Sequence, residues 1–232
     1  MLKKLKKLNS EIEIFSIKDK KFEKYGNVIE IETDEIVKAC EKLIFPDIGS
    51  EYIASVNSLE TLNMSEALRQ IMFGGCDAQI GITHGHNNFM NGLEYHRSSE
   101  VNIAATPLVL ILGLQYEMKG NEYDSSKVKA FYMEKGDAAE IYATTLHFCP
   151  CQVSDSGFSC VVVLPKNTNT YRFMSEYDII GSETNYGEDL WRLFDTEEKN
   201  PDRLPTDTSM RRCYVEHLKK GGRVGNGFGV RL

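Results

Sequence analysis

The chain has 232 residues, 41% of them hydrophobic, enough to bury a full core as one large domain or two small ones. Its formal net charge of −7 and pI near 5.4 leave no basic stripe for a nucleic acid. Residues 1–8 are too short and too charged for a signal peptide, and no later stretch approaches about eighteen uninterrupted apolar residues. The expectation is therefore a soluble cytoplasmic protein with no nucleic-acid or membrane partner.

In chain order, residues 11–17 alternate charged with apolar side chains around Ile12 and Ile14 and predict a half-buried strand. A second strand is predicted over 27–32. Asp34 can cap a helix running to residue 43, with Ile36, Val37, Cys40, Leu43 and Ile44 on one face and a stop before Pro46. A further helix is predicted over 59–73, with Leu62, Leu68, Ile71 and Met72 as its buried stripe and Gly74-Gly75 as its stop.

From Ala78 the pattern changes to short runs rich in Val, Ile, Tyr and Phe, separated by Gly, Asn and Asp. Strands are predicted over 79–83, 93–97, 108–116, 129–133, 140–143, 146–148 and 158–164. Such a series argues for a sandwich or small barrel with an interior cavity. After residue 177 the chain becomes polar, with an aromatic cluster at Trp191 and Phe194 that could lie on a short helix over 189–194. The glycine-rich residues 219–229 match no phosphate-binding loop and are expected to be a mobile tail. The organisation expected is an N-terminal strand and helix segment (1–75), a barrel core (76–176) and a polar extension (177–232).

Two stretches carry the candidate chemistry. The first is Leu93-Glu94-Tyr95-His96-Arg97-Ser98-Ser99-Glu100, in which Glu94, His96 and, if one strand runs through, Glu100 share a face. The second is Thr144-Thr145-Leu146-His147-Phe148-Cys149-Pro150-Cys151, whose His147 can supply another imidazole. Imidazoles and carboxylates together suit a divalent ion such as Zn, Mn, Fe or Ni, or acid–base chemistry. A lone strand histidine is otherwise a hydrogen-bonded structural residue. The six cysteines show no framework spacing, and Cys149-x-Cys151 lacks the gap of a zinc knuckle, so thiols are expected. His84 and His86 sit on a Gly/Asn-rich segment expected to line the cavity mouth, and His217 is expected at the surface.

The run Gly136-Asp137 through His147 resembles the second motif of the cupin superfamily, a Gly-Asp turn followed at fixed spacing by a metal-binding histidine. Tyr142 and Thr144 stand where that motif carries Pro and Gly, and Cys151 where it often carries Asn. Glu94-x-His96, three residues and then Glu100 resemble the first cupin motif, with Glu94 in place of its first histidine. Within the superfamily the stretch is most similar to the ureidoglycolate lyase branch, and to a bacterial cupin-like family carrying the Leu93–Glu100 string. The resemblance covers about residues 78–165.

It implies a mainly β (α+β) fold, a cupin-like double-stranded β-helix barrel with N-terminal helices packed against it. It also implies a divalent metal held by Glu94, His96, Glu100 and His147. The function expected is a lyase or isomerase acting on a small polar hydroxy acid, keto acid or sugar derivative. Glu94 or Glu100 would move the proton, and Arg97, Tyr142 and His86 are candidates for holding the substrate. The alternative is a non-catalytic metabolite- or sugar-binding cupin with a structural or vestigial metal site, which the replacement of the first motif histidine by Glu94 keeps open. A homodimer is the default assembly.

Overall fold

The structure, a computed structural model, describes residues 1–168 apart from Glu11, Phe45, Asn91, Arg97 and residues 120–122. The expectations for residues 177–232, including His217, and that for Arg97 lie outside the described residues. In chain order the elements are α1 (Leu2–Leu8), β1 (Ile14–Ser16), β2 (Gly26–Ile29), α2 (Asp34–Cys40), β3 (Ser50–Ile53), α3 (Asn57–Glu60), α4 (Asn63–Phe73), β4 (Ala78–Gly85), β5 (Glu100–Ala104) and β6 (Leu108–Leu114). They continue with β7 (Lys129–Met133), β8 (Ala138–Ile141), β9 (Thr145–Leu146), β10 (Cys151–Gln152) and β11 (Phe158–Pro165).

One sheet has the order β1-β7-β6-β10, with β9 also on β6; the other has the order β2-β8-β5-β11-β4-β3. In the central run β8-β5-β11-β4 every neighbour is distant in sequence and every pair is antiparallel. From β5 onward the chain passes back and forth between the two sheets, crossing after β5, β7, β8 and β10, as in a jelly roll. This is the mainly β, cupin-like barrel that the resemblance implies.

Alternation along the strands divides their side chains between two cores. Ala104, Leu110, Leu112, Phe131, Ile141 and Phe158 meet between the sheets. Their strand neighbours Val101, Ile103, Val161 and Val163 face outward, onto Ile36 of α2, Leu59 of α3 and Leu68 of α4. On the other side Val109, Ile111, Ala130 and Tyr132 are covered by Leu5 of α1 together with Ile12 and Met90.

Several elements differ from the sequence expectation. The predicted 59–73 helix is two helices, because the Thr61 hydroxyl donates to the Asn57 carbonyl at 2.9 Å and Leu62 is extended. The amides of Asn63 and Met64, which open α4, donate to the Glu35 carboxylate at 3.4 and 3.2 Å. The predicted 93–97 strand is reduced to a single bridge between Glu94 and His147. Strands β3 and β5 were not expected. Glu100 therefore does not continue the strand of Glu94; it opens β5 in the opposite sheet.

Candidate metal centre

His147 lies where the strand antiparallel to β6 is interrupted. β9 pairs Leu146 with Gly113, and β10 pairs Cys151 with Val109, so the register shifts by one residue between them. Pro150 within the interruption has no amide to give to the ladder. The carbonyls of Cys149 and Pro150 are taken instead by Asn87 Nδ2 at 3.3 and 3.1 Å, and Gln152 N donates to Asn87 O at 2.7 Å. A bulge of this kind re-aims side chains at a sheet edge. Here it aims His147 inward.

Glu94 and His147 exchange both backbone hydrogen bonds, at 2.6 and 2.8 Å, so they stand directly opposite with side chains on one face. His96, two residues on, joins that face. The turn before β8 that leads toward His147 is fixed by Gly136, whose φ of +91° suits glycine. Its amide donates to Ala104 O at 2.8 Å, and the Glu134 amide donates to Asp137 Oδ2 at 2.8 Å.

Four side chains converge between the sheets. His96 Nε2 and His147 Nε2 are 3.0 Å apart. Glu100 Oε2 lies 3.2 Å from His96 Nε2, and Oε1 lies 3.4 Å from His147 Nε2. Glu94 Oε1 stands farther off, 3.9 Å from His96 Nε2. The relative exposures are 8% for Glu94, 2% for His96, 4% for Glu100 and 6% for His147, so both carboxylates have been taken out of water. Such burial is costly without a compensating positive charge.

Burial alone would raise the Glu100 carboxyl and lower the His147 imidazole, yet their mutual attraction and hydrogen bonding win in both. Glu100 is driven well below the usual carboxylate range by His147 and then His96. His147 is pushed up to about 9 by Glu100, with Glu94 and the Thr145 carbonyl adding to it. The carboxylates thus draw positive charge to this space, which either a protonated His147 or a bound cation with His147 neutral can supply.

The donor set fits a divalent ion. His147 Nδ1 lies 2.9 Å from Thr145 O and donates to it, which turns the Nε2 lone pair of the neutral ring inward; ligating histidines are commonly fixed in this way. Donor atoms bound to one ion at about 2.1 Å lie about 3.0–3.4 Å apart along a polyhedron edge, the spacing of His96 Nε2 from His147 Nε2 and from Glu100 Oε2, while Glu100 meets His147 through its other oxygen, Oε1. The ligand atoms of Glu94, His96 and His147 also lie within 4.8 Å of one another. On distances the tighter triad is the one containing Glu100.

Among the described residues, the candidates Tyr142, His86 and His84 stand apart from the four converging side chains. Tyr142 is half-buried just past β8, its amide donating to Tyr25 O at 3.0 Å. The amide of His86 donates to Gly49 O at 2.6 Å, beyond the end of β4. His84 is buried within β4 rather than on a loop, and its Nε2 lies 3.0 Å from Glu51 Oε1. A cavity of about 260 Å³ lined by Ile29, Ile31, Met64, Leu68, Ile71 and Met72 lies on the helical side of the second sheet. It is apolar and has no part in the cluster. The sequence reading missed Asn102, which donates from Nδ2 to Glu100 Oε1 at 2.7 Å. The available signal was its place two residues after Glu100, on the same strand face.

Fold and site together define a jelly roll of the cupin type with a buried Glu/His cluster able to hold a divalent ion. A family model described as a domain of unknown function, DUF4867, matches residues 14–186, more than half of the chain, and the chain belongs to that family. A second model, a GNAT-like C-terminal domain, matches residues 159–231. No curated protein matches the chain.

Among solved structures it is similar to Bacillus subtilis oxalate decarboxylase. A structure addressing that enzyme's Mn(II) centres shows 11% identity and a TM-score of 0.33 over 57% of this chain and 34% of that one. A structure addressing the substrate binding mode of oxalate decarboxylase shows 11% identity and a TM-score of 0.32 over 57% of this chain and 35% of that one. The chain thus spans about a third of the length of those structures. Its own strand pairing, not that likeness, identifies the jelly roll. No helix among the described residues is long and apolar enough to cross a membrane.

Proposed function

We propose that the protein is a metal-dependent cupin enzyme of lyase or isomerase type, nearest in kind to the ureidoglycolate lyase branch. Its substrate would be a small polar hydroxy acid, keto acid or sugar derivative. The observation that carries this reading is the convergence of His96, His147, Glu100 and Glu94 in a buried space between two sheets. His96, His147 and Glu100 would hold the ion. A divalent ion held there supplies Lewis acidity toward a carbonyl or hydroxyl oxygen of the substrate.

Glu94, the farther carboxylate, is left to take a proton from the carbon beside that oxygen and return it to product or leaving group. The jelly-roll walls exclude water from this transfer. Arg97, Tyr142 and His86 stand as candidates for holding a substrate carboxylate or hydroxyl as it enters. The reading further includes a homodimer as the assembly, and neither nucleic acid nor membrane as a partner.

The test is Glu94→Gln, assayed against a panel of 2-hydroxy and 2-keto acids and sugar acids after loading with Mn, Zn, Fe or Ni. The variant should keep its metal while turnover falls at least about 100-fold, in line with loss of a general base. Turnover unchanged in Glu94→Gln would remove Glu94 from the chemistry.

A further inference from the structure

The inward face of β5 begins with two polar side chains: Glu100 and Asn102 point between the sheets ahead of Ala104, while Val101 and Ile103 face the helices. Asn102 is 4% exposed. Its cross-strand neighbours are Ala139 on β8 and Val162 on β11, which offer no side-chain donor. The Asn102 Nδ2 hydrogen bond to Glu100 Oε1, at 2.7 Å, is thus the side-chain anchor that this sheet gives Glu100. Its other oxygen, Oε2, is turned to His96 Nε2.

We propose that Asn102 is the positioning residue of the metal centre. By holding Oε1, which also lies 3.4 Å from His147 Nε2, it sets the rotation of the carboxylate so that Oε2 meets His96, and it fixes that carboxylate on a central strand of the barrel. This rests on the metal-centre reading above. Outer-shell partners of ligating carboxylates contribute to metal affinity as well as orientation, and losing one typically weakens binding about 10- to 100-fold. A carboxylate free to rotate could chelate through both oxygens and take up a coordination position that a substrate needs. Asn102 touches no reacting atom in this arrangement; it acts through Glu100.

The test is Co(II) binding to the full-length protein, read as a dissociation constant and as the visible absorption of the bound ion. Asn102→Leu, close in size and without a donor, should bind Co(II) about 10- to 100-fold more weakly and with an altered spectrum. Asn102→Ala, which leaves space rather than strain, should show the same loss and is the variant to read if Asn102→Leu does not fold. In a Glu100→Ala background neither substitution should weaken binding further, because the partner is already gone. A purely structural asparagine would lower the melting temperature while leaving affinity and spectrum of the folded fraction unchanged, and that result overturns the proposal. Equal weakening with and without Glu100 overturns it too. Wild-type protein that binds no Co(II) would sink the metal-centre reading and this inference together, whereas tight wild-type binding matched by both Asn102 variants would sink this inference alone.

Discussion

At the residue scale, the cysteines separate by environment. Burial pushes the Cys40 thiol up to about 12 and the Cys149 thiol up to about 11, and it raises Cys160 far above the ordinary value. Cys76 is exposed. Only the thiolate attacks an alkylating reagent. Iodoacetamide at pH 8 on the native protein should therefore label Cys76 ahead of Cys40, Cys149 and Cys160, which should be modified only after unfolding. Peptide mass mapping checks this, and native-state labelling of Cys160 at the rate of Cys76 would contradict the packing of the barrel interior. Residue by residue, the site was partly legible. A Gly-Asp turn and a histidine at fixed spacing mark His147, and a Glu-x-His marks Glu94 and His96. The Asn87 support of the bulge that aims His147 was not legible, because it reaches the Cys149 and Pro150 carbonyls through the fold from 62 and 63 positions away.

At the scale of elements, alternation reveals two faces of a strand but not which one lies inside. β5 shows this: its apolar residues meet the helices and its polar ones line the barrel, so the reading that places polar faces in solvent passes over it. The 93–97 run failed differently, since among its described residues Glu94 alone forms a β-bridge before the chain crosses to the other sheet. Strongly periodic segments such as α2, β6, β7 and β11 were legible because their patterns need no tertiary information.

The helical layer packs on the outer face of the second sheet, away from the cluster. Leu59→Ala, at a side chain with no exposed surface, should cost about 2–5 kcal/mol by transfer and cavity terms. Denaturant titration should show that loss, while the folded protein keeps wild-type metal stoichiometry. Loss of metal from the folded variant would mean that α3 shapes the site and does not merely brace the sheet.

At the scale of the whole molecule, the strands of both sheets among the described residues, and all four cluster residues, lie within residues 14–165. Deleting residues 219–232 should accordingly leave the melting temperature within a few degrees of wild type and metal binding unchanged, since an effect of 1 kcal/mol shifts a domain of this size by about 2–4 °C. A large drop in the melting temperature would show that those residues belong to the core.

The central claim is that two histidines fifty-one positions apart serve one ion. The direct measurement is metal content against thermal midpoint for His96→Ala and His147→Ala, with His217→Ala as control. If both histidines are ligands, each substitution should abolish stoichiometric metal while the apoprotein stays folded, because the jelly-roll core is built from other residues. Full metal retained in both variants, or metal lost only in step with unfolding, would contradict the site.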